Sequence, residues 1–300
     1  MALTVDAVVV GGGPAGLSAA VWLARYRRTV AVIDSEEYRN RWVDASHGYL
    51  GYDGWAPAEF LARARADLDA YPGTEHIVGH VEWAKAAPGG GFAVGLADGR
   101  ELEARRLVLA TGVVDRFPDI ENFFDHYGAD AFTCPTCDGY ESRDREVVAL
   151  GWTAEIAGFA RHLDGWARSV TVVTDGHRYE GDEDDRAALG ALGIEVVEEG
   201  ARSLEGPRGG LRGVRLDGGR LLPCDRVFFA IGIDQRTELA VRLGCELTGE
   251  GCLRVGDDSS TSVEGVWAAG DITPGPHLVQ VAAAKGAVAG VACARSLLGV

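Results

Sequence analysis

The sequence predicts an α/β protein with two doubly wound domains, and three observations support this fold class. An apolar run at residues 7–10 ends in GGGPAG and continues as LSAAVWLARYRRT, which is typical of a strand, a tight turn and a helix. A second apolar run, at 147–150, begins another strand–turn–helix unit in the middle of the chain. The length of 300 residues suits about two domains of ordinary size.

The first glycine-rich turn has the spacing of a dinucleotide-binding site. Gly11 permits the tight turn, Gly13 lets the backbone approach a pyrophosphate, and Gly16 lets the helix pack on its strand. Pro14 and Ala15 complete the run. The helix that follows presents free N–H groups and the positive end of its dipole to the pyrophosphate. These five residues are therefore predicted to bind a cofactor.

An acidic residue follows at the position where a ribose is bound. The next apolar strand, 30–33, ends at Asp34, which lies 18 residues after Gly16. A carboxylate at this point accepts hydrogen bonds from ribose hydroxyl groups. With strand, turn, helix and acid in this order, the pattern favours a dinucleotide site over a glycine-rich turn without function.

Two further strand ends indicate which dinucleotide binds. The strand 107–109 leads into Ala110, Thr111 and Gly112, and the strand 266–268 leads into Gly270 and Asp271. Together with the N-terminal turn, these segments resemble the two-dinucleotide-binding flavoprotein superfamily. The resemblance implies that the cofactor is FAD and that the strand-end residues contact it. It also implies that the aspartate of the Gly-Asp pair binds the ribityl chain or phosphate region.

The helix QVAAAKGAVAGVACARSLL comes after these segments. By the same resemblance, its opening residues Gln280 and Val281 offer backbone N–H groups to the pyrimidine edge of the flavin. A helix start at this edge would stabilise negative charge on the reduced flavin. The small residues at 282–284 and Gly286 also indicate simple close packing, which is the alternative interpretation of this helix.

Cys134 and Cys137, in CPTCDG, are the one closely spaced pair among six cysteines. A zinc site needs about four ligands, and no second C-x-x-C or paired histidine set completes one, since His126 stands alone before the pair. No metal site is therefore expected. We interpret the pair as a redox-active disulfide that exchanges electrons with FAD, with Asp138 as its acid–base group. An inert pair of buried thiols is the remaining alternative.

The ordered motifs GGGPAG, ATG, CPTCDGYE and GVWAAGD resemble the low-molecular-weight thioredoxin reductase family over nearly the whole chain. The resemblance implies two Rossmann-like domains. An FAD-binding domain formed by residues 1–115 and 240–300 is interrupted by an inserted pyridine-nucleotide-binding-like domain, 116–239, which carries C-x-x-C. It further implies that Cys137 faces the flavin, that Cys134 meets the substrate, that a thioredoxin-like protein is one candidate partner, and that the protein is a homodimer.

The inserted domain departs from that family at its NADPH site. The turn after the strand 147–150 reads GWTAEI, so that Thr153 places a side chain where a pyrophosphate contacts the backbone. Ile156 crowds the strand–helix contact at the end of the same turn. After the next strand, Asp175 stands where the family has a basic cluster for the 2′-phosphate, and His177 follows two residues later. NADPH is therefore not expected to bind.

Three other segments point to a different branch of the family. Residues 45–68, 112–120 and 277–290 resemble the thioredoxin-reductase-like dithiol oxidases, which oxidise a small dithiol and pass the electrons through FAD to oxygen. Those enzymes carry histidine after the second cysteine, where this chain has Asp138. His47 is a candidate proton carrier on the flavin or substrate side, because an imidazole titrates near neutrality. The alternative is that it hydrogen-bonds a loop backbone.

Composition and charge exclude several classes of partner. The formal net charge of −16 repels nucleic-acid phosphates and anionic membrane surfaces. No apolar run reaches the roughly 18 residues that span a bilayer. The N-terminus runs directly into a strand instead of showing a signal peptide, so the cytoplasm is the expected location.

The sequence thus predicts an FAD-dependent thiol–disulfide oxidoreductase that uses Cys134 and Cys137 and is not driven by NADPH. A dithiol oxidase that passes electrons to oxygen is one form of this function, and the substrate is either a small dithiol or disulfide or a thioredoxin-like protein. A thioredoxin-disulfide reductase fed by NADPH, ferredoxin or another donor remains an alternative. A flavin-binding redox sensor without turnover is an alternative of another class. The intact C-x-x-C favours an enzyme, because a binding module needs no exchange cysteines.

Overall fold

The computed structural model describes residues 3–298. Its strands are β1 (Leu3–Val10), β2 (Val30–Asp34), β3 (Thr74–Val78), β4 (Val81–Ala86), β5 (Phe92–Leu96), β6 (Glu101–Leu109), β7 (Val113–Asp115), β8 (Ala131–Phe132), β9 (Glu146–Leu150), β10 (Ser169–Val173), β11 (Glu195–Val197), β12 (Ala201–Glu205), β13 (Gly213–Leu216), β14 (Leu221–Pro223), β15 (Arg226–Phe229), β16 (Ile233–Gln235) and β17 (Val266–Ala268). Its helices are α1 (Pro14–Arg25), α2 (Pro57–Asp69), α3 (Phe123–His126), α4 (Pro135–Asp138), α5 (Glu155–Asp164), α6 (Glu183–Ala191), α7 (Glu238–Leu243) and α8 (Val279–Ser296).

The first sheet has seven strands and a parallel centre. Its order is β3-β2-β1-β6-β5-β4, and β17 pairs in parallel with the second half of β6. Strands β1 and β2 are apolar almost throughout because both faces of a parallel sheet are covered. Successive side chains of β1 enter opposite cores: Val8 and Val10 pack in one, Ala7 and Val9 in the other.

Helices α1 and α8 cover one face of this sheet and lie close together. A Cβ atom on Gly286 would overlap the backbone of Ala15, and one on Gly290 would lie 2.8 Å from the Cα of Ala19. The small residues of α8 therefore have the packing role that the sequence offered as the alternative. That role does not compete with the proposed flavin contact, because the first turn of α8 and its glycines are different parts of the helix.

The second sheet has five strands, all parallel, in the order β11-β10-β9-β15-β8. The antiparallel strands β12-β13-β14 form a third sheet, and β7 and β16 form a two-stranded one. Helices α5 and α6 follow β9 and β10 in alternation, as crossovers between parallel strands require. The predicted fold class, α/β with two doubly wound sheets, is confirmed.

The chain separates into two compact units. The first contains Met1–Arg41, Pro57–Val114 and Asp234–Val300, and the second contains Trp42–Ala56 and Asp115–Ile233. The chain therefore passes between the units four times. The sequence analysis left 42–56 in the first domain, whereas its contacts lie with the second unit. The Trp42 ring, for example, lies 5.4 Å from the ring of Phe124.

A buried charged cluster lies just before the C-x-x-C segment in the second unit. His126, which the sequence analysis left alone, is 1% exposed, and its Nδ1 lies 2.8 Å from Oδ2 of the fully buried Asp130. Arg226 NH1 donates to Asp130 Oδ1 (3.0 Å), and the Gly209 backbone N–H donates to Asp130 Oδ2 (2.7 Å). One carboxylate thus connects α3, the start of β15 and the loop at 209.

We predict that Asp130→Asn destabilises the protein by roughly 3–5 kcal/mol, because it leaves the Arg226 charge without its buried partner. Urea denaturation followed by circular dichroism measures the change. Asp98→Asn, which removes an exposed carboxylate bound to Arg100, is the control and has little effect. An equal, small change in both variants would show that the buried cluster does not hold the second unit together.

Candidate active site

The carboxyl ends of four neighbouring parallel strands meet at one edge of the first sheet. The order there is β2, β1, β6 and β17, and backbone hydrogen bonds continue past the strand ends. The Gly11 N–H donates to the Ile33 carbonyl (2.8 Å), Ala110 to Val10 (2.8 Å), and Ala269 to Leu109 (2.9 Å). The predicted segments at 11–16, 34, 110–112 and 270–271 are therefore brought to the edge where doubly wound sheets bind their ligands.

The three glycines of the first turn have different surroundings. Gly11 has φ of +107°, and a Cβ there would overlap the Ala110 carbonyl oxygen. A Cβ on Gly16 would overlap the Gly11 carbonyl oxygen, so only glycine at this position lets the helix approach its strand. A Cβ atom added at Gly13 would have no other atom within 4 Å, so there is open space beside the helix start.

Two helix starts at this edge carry no side-chain cap. Gly13 is the N-cap residue of α1 and Pro14 its first helical residue, and no side chain accepts from the first N–H groups. Leu278 is the N-cap residue of α8, again without a side-chain cap. Gln280 and Val281 lie in the first turn of α8, as predicted. Uncapped helix starts with their dipoles directed outward favour bound phosphate or a negatively charged ring edge.

The two predicted acidic residues both have arginine partners that the sequence analysis missed. Asp34 is 7% exposed, and its Oδ2 accepts from Arg65 NH2 (3.0 Å). Asp271 Oδ2 accepts from Arg39 NH1 (3.2 Å). The partners are 31 and 232 residues apart in sequence, so no local pattern could indicate them. Each carboxylate retains acceptor capacity for a ribose or ribityl hydroxyl group.

These features fit FAD. Gly13 leaves room for a pyrophosphate beside an uncapped helix start, and Asp34 lies at the end of the adjacent strand. The side chain of Thr111 donates to the Arg236 carbonyl (2.7 Å), which fixes the turn at 110–112. When bound, the cofactor would contact the turn after β1, the carboxylate after β2, and the segments after β6 and β17.

Cys134 and Cys137 form a disulfide in the second unit. Cys134 is the N-cap residue of α4, and its Sγ accepts from the Cys137 N–H (3.1 Å). Both cysteines are partly exposed, so an external thiol can reach the pair. The other four cysteines are buried free thiols: Cys224, Cys245, Cys252 and Cys293. Only the predicted pair has the exposure that thiol–disulfide exchange requires.

Asp138 directly follows the disulfide and holds its proton strongly. Burial, together with the negative charge of Glu141, raises the pKa of the Asp138 carboxyl from 3.8 to about 7. The Asp138 carbonyl accepts from the Ser142 hydroxyl (2.9 Å), which fixes the turn that carries both acids. A carboxyl with this pKa can give and take a proton at neutral pH, as an acid–base group must.

His47 also belongs to the second unit. Its Nδ1 lies 3.8 Å from Glu141 Oε1 and 3.7 Å from Asp53 Oδ1, and its side chain is 26% exposed. The loop that carries it is closed by the Ser46 N–H, which donates to the Trp55 carbonyl (2.8 Å). The sequence analysis missed both acids. The sequence could have indicated Glu141, because it follows Asp138 by three residues, but no sequence pattern indicated its contact with His47.

The second glycine-rich turn, after β9, is filled by side chains. Ile156 is fully buried, and its Cδ1 lies 2.8 Å from the Cβ position of Gly151. The ring of Trp152 stacks on that of His177, with centroids 4.0 Å apart and planes 22° apart. The Glu180 N–H donates to the Trp152 carbonyl (2.9 Å), so the loop after β10 is held on this turn.

Asp175 is turned away from that edge. It has a left-handed backbone (φ of +53°), and its Oδ1 accepts from the Ala201 N–H at the start of β12 (2.9 Å). The neighbouring Thr174 is fully buried. The first turn of α6 then adds three acids at 183–185, with the Asp182 side chain as N-cap acceptor for Asp185.

Comparison with known proteins places the chain in a family. A model of the pyridine nucleotide-disulphide oxidoreductase family matches residues 5–286. The chain belongs to this family. It is 32% identical to a thioredoxin reductase of Gibberella zeae over 343 residues, an alignment that covers 99% of each protein. The predicted resemblance is confirmed, and the chain is a thioredoxin reductase-like flavoenzyme: an FAD-dependent oxidoreductase of the disulfide class.

Solved structures have the same fold. The crystal structure of HlmI has a TM-score of 0.93 and 35% sequence identity, covering 99% of this chain and 93% of that one. An oxidoreductase from Agrobacterium tumefaciens has a TM-score of 0.89 and 33% identity, covering 99% of each chain. Both alignments include the C-x-x-C unit as well as the glycine-rich N-terminus, because they span nearly the whole molecule.

The described part of the oxidoreductase shows neither a metal-binding cluster nor a membrane-spanning helix. Between residues 3 and 298, no group of three or more His, Cys, Asp or Glu side chains could hold a metal ion. Over the same range, no helix has the length and apolar character needed to cross a membrane.

We predict that Gly13→Ala weakens FAD binding about tenfold or more while leaving the stability of the apoprotein unchanged. The new methyl group enters open space in the protein but crowds the pyrophosphate. Isothermal titration of the apoprotein with FAD and a thermal melt measure the two effects.

Gly16→Ala is the matched control. Its methyl group overlaps the Gly11 carbonyl oxygen, so this variant lowers the stability of the apoprotein itself. Normal FAD affinity in a folded Gly13→Ala protein would contradict a pyrophosphate at this turn.

We predict that Asp138→Asn stabilises the disulfide form at high pH. A pKa raised in the folded state gives stability that is complete below the unfolded value near 4 and is lost as the pH rises through about 7. Asparagine stays neutral, so the melting temperature of the variant exceeds that of the wild type above pH 7, by on the order of 5 °C, and the difference shrinks toward pH 4. A constant difference across this range would contradict the raised pKa.

Proposed function

We propose that the protein is an FAD-dependent thiol–disulfide oxidoreductase that oxidises a dithiol through Cys134 and Cys137, passes the electrons to oxygen, and does not use NADPH. The observation that carries this proposal is the turn after β9, where the stack of Trp152 on His177 and the buried Ile156 occupy the nucleotide-binding edge of the second sheet.

The residues at that edge do not fit NADPH. A pyrophosphate needs backbone free of side chains at the turn, and Trp152 and Thr153 both place side chains there. Glu155 lies in the first turn of α5, where a negative charge opposes a bound phosphate. The proposed mechanism therefore has no step that uses NADPH.

Charge around the loop after β10 supports the same conclusion. A 2′-phosphate is bound by arginine or lysine side chains that point to one place. Here the loop leads into the acidic start of α6, and Asp175 bonds the backbone of β12. Arg178 is an exposed base on this loop, and its charge acts on Glu198.

The cysteine pair can carry the chemistry with the groups around it. A substrate thiolate attacks one sulfur of the Cys134–Cys137 disulfide, the S–S bond breaks, and a mixed disulfide forms. The second substrate thiol attacks that mixed disulfide, so the substrate leaves oxidised and the protein pair is left as one thiol and one thiolate. Asp138 gives a proton to the departing thiolate and recovers it from the second thiol. By family resemblance, Cys134 meets the substrate and Cys137 faces the flavin.

Bound FAD would supply the acceptor for the two electrons of the reduced pair and their route to oxygen, which would be released as peroxide. We propose that its binding residues are those of the sheet edge: Gly11, Gly13, Pro14, Ala15, Gly16, Asp34, Ala110, Thr111, Gly112, Gly270, Asp271, Gln280 and Val281. The chain's own part is to hold the cofactor, expose the disulfide and provide protons at Asp138.

A second candidate function is a thioredoxin-disulfide reductase, fed by NADPH, ferredoxin or another donor. The similarity to a thioredoxin reductase of Gibberella zeae supports it. Asp138 after the second cysteine supports it as well, because the resembling dithiol oxidases have histidine there. In this case the partner is a thioredoxin-like protein. A homodimer is proposed under either function, on family resemblance.

We predict that dithiothreitol bleaches the flavin of the holoenzyme under anaerobic conditions, while NADPH at micromolar concentration does not. Stopped-flow absorbance measures the rates, and a peroxide assay in air should give one peroxide for each dithiol oxidised. Rapid bleaching by NADPH would overturn the NADPH-independent proposal and favour the reductase. An unreactive flavin with every donor would favour the redox sensor.

Single cysteine variants provide the controls. Cys134→Ser and Cys137→Ser should each slow bleaching by about a hundredfold or more, since either change removes the exchangeable disulfide. When mixed with a small linear disulfide, Cys137→Ser should form a mixed disulfide on Cys134, because the Cys134 thiolate attacks the S–S bond of the reagent and releases one of its halves as a thiol; mass spectrometry of the intact protein detects the product. Trapping on Cys137 in the Cys134→Ser variant alone would reverse the roles of the two cysteines.

A further inference from the structure

The turn after the disulfide brings two acids to the same side. Gly139 has helical backbone angles (φ −65°, ψ −38°), and the Ser142 N–H donates to the Gly139 carbonyl (3.1 Å), so the helical path of α4 continues. Residues three apart on such a path are neighbours, which places Glu141 beside Asp138. Glu141 is the one charged group in the described chain that perturbs the Asp138 pKa.

The imidazole of His47 approaches Glu141 from another segment. It lies between two carboxylates, with Nδ1 3.8 Å from Glu141 and 3.7 Å from Asp53. Glu141 and His47 are partly exposed, whereas Asp138 is strongly desolvated. Exposure to solvent is therefore lowest at Asp138 and higher at His47 and Glu141.

Among residues 3–298, no charged group other than Glu141 acts on the Asp138 carboxyl. Helix α5 packs against α4, and its His162 ring lies on Trp166 (5.0 Å between centroids), not on the acid. Trp166 in turn contacts the Gly139 position. Asp53, on the far side of His47, also accepts from the Gly48 N–H (2.7 Å), which holds the loop.

We propose that His47, through its ion pair with Glu141, decides at what pH Asp138 releases its proton, and so acts as a positioning residue for the acid–base group of the disulfide. The inference deepens the proposed function and rests on it for its meaning in catalysis.

The physical basis is that an imidazole interacts with a neighbouring carboxylate differently in its charged and its neutral form. A protonated His47 holds the Glu141 carboxylate and cancels part of its field at Asp138, which lets Asp138 ionise. A neutral His47 leaves that field unopposed, so Asp138 keeps its proton to higher pH. The two groups titrate as a coupled system, and the titration of Asp138 is spread over a wider pH range than that of an isolated acid.

The direct test is the ¹³C carboxyl titration of aspartate-labelled holoenzyme in its disulfide form, with Asp138→Asn used to assign the resonance. Glu141→Gln should lower the Asp138 midpoint by on the order of half a pH unit to one unit. His47→Gln should raise the midpoint and make the curve steeper. The double variant should behave like Glu141→Gln alone, because His47 acts through Glu141.

Several outcomes would overturn the inference. One is an Asp138 midpoint in His47→Gln that equals the wild-type midpoint. Another is a double variant whose midpoint differs from that of Glu141→Gln by as much as the midpoint of His47→Gln differs from that of the wild type. His80→Gln removes an exposed histidine from the first unit and is the control.

The pH profile of flavin bleaching by dithiothreitol separates this inference from the proposed function. If the wild type bleaches and its inflection moves upward in His47→Gln together with the Asp138 midpoint, both stand. If the wild type bleaches but the midpoint is unchanged in the variant, only the role of His47 fails. If no dithiol bleaches the wild type, the proposed function fails, while the carboxyl titration still decides the coupling.

Discussion

The first unit depends on one close approach, the contact of α1 with the end of β1 at Gly16 and Gly11. It lets the helix start lie directly beyond the strand, so that its uncapped N–H groups face the sheet edge. The parallel order of β2, β1, β6 and β17 then brings distant segments to that edge. Any side chain at Gly16 would move the helix and with it the proposed pyrophosphate site.

The second unit keeps the same architecture while its own glycine-rich turn is filled. Its parallel sheet and crossover helices are complete, and large buried residues such as Phe228 and Ile156 form its core. The stack of Trp152 on His177 then covers the strand ends. A doubly wound fold gains its stability from strand pairing and core packing, so it does not depend on a ligand bound at its edge.

Chemistry at the disulfide turn is governed by charge and burial together. A desolvated carboxyl beside another acid has its pKa raised to about 7, so it exchanges a proton near neutral pH, which an isolated surface aspartate does not. The segment 42–56 contributes His47 to this turn even though the residues on both sides of it belong to the first unit. A loop that leaves one unit to pack on another can therefore supply an ionisable group that the local sequence of the turn lacks.

The sequence by itself determined the two doubly wound sheets, the glycine turn, the strand ends and the redox pair, because each depends on residues close together in the chain. Residue types at fixed spacing, such as Gly11 with Gly16 and Cys134 with Cys137, encode local geometry directly. Only the tertiary structure decided that Arg65 and Arg39 hold the two acids, that His126 pairs with Asp130, and that His47 faces Glu141. Those pairings join residues that strand order and loop packing bring together in space, and a pattern read along the chain carries no information about such distances.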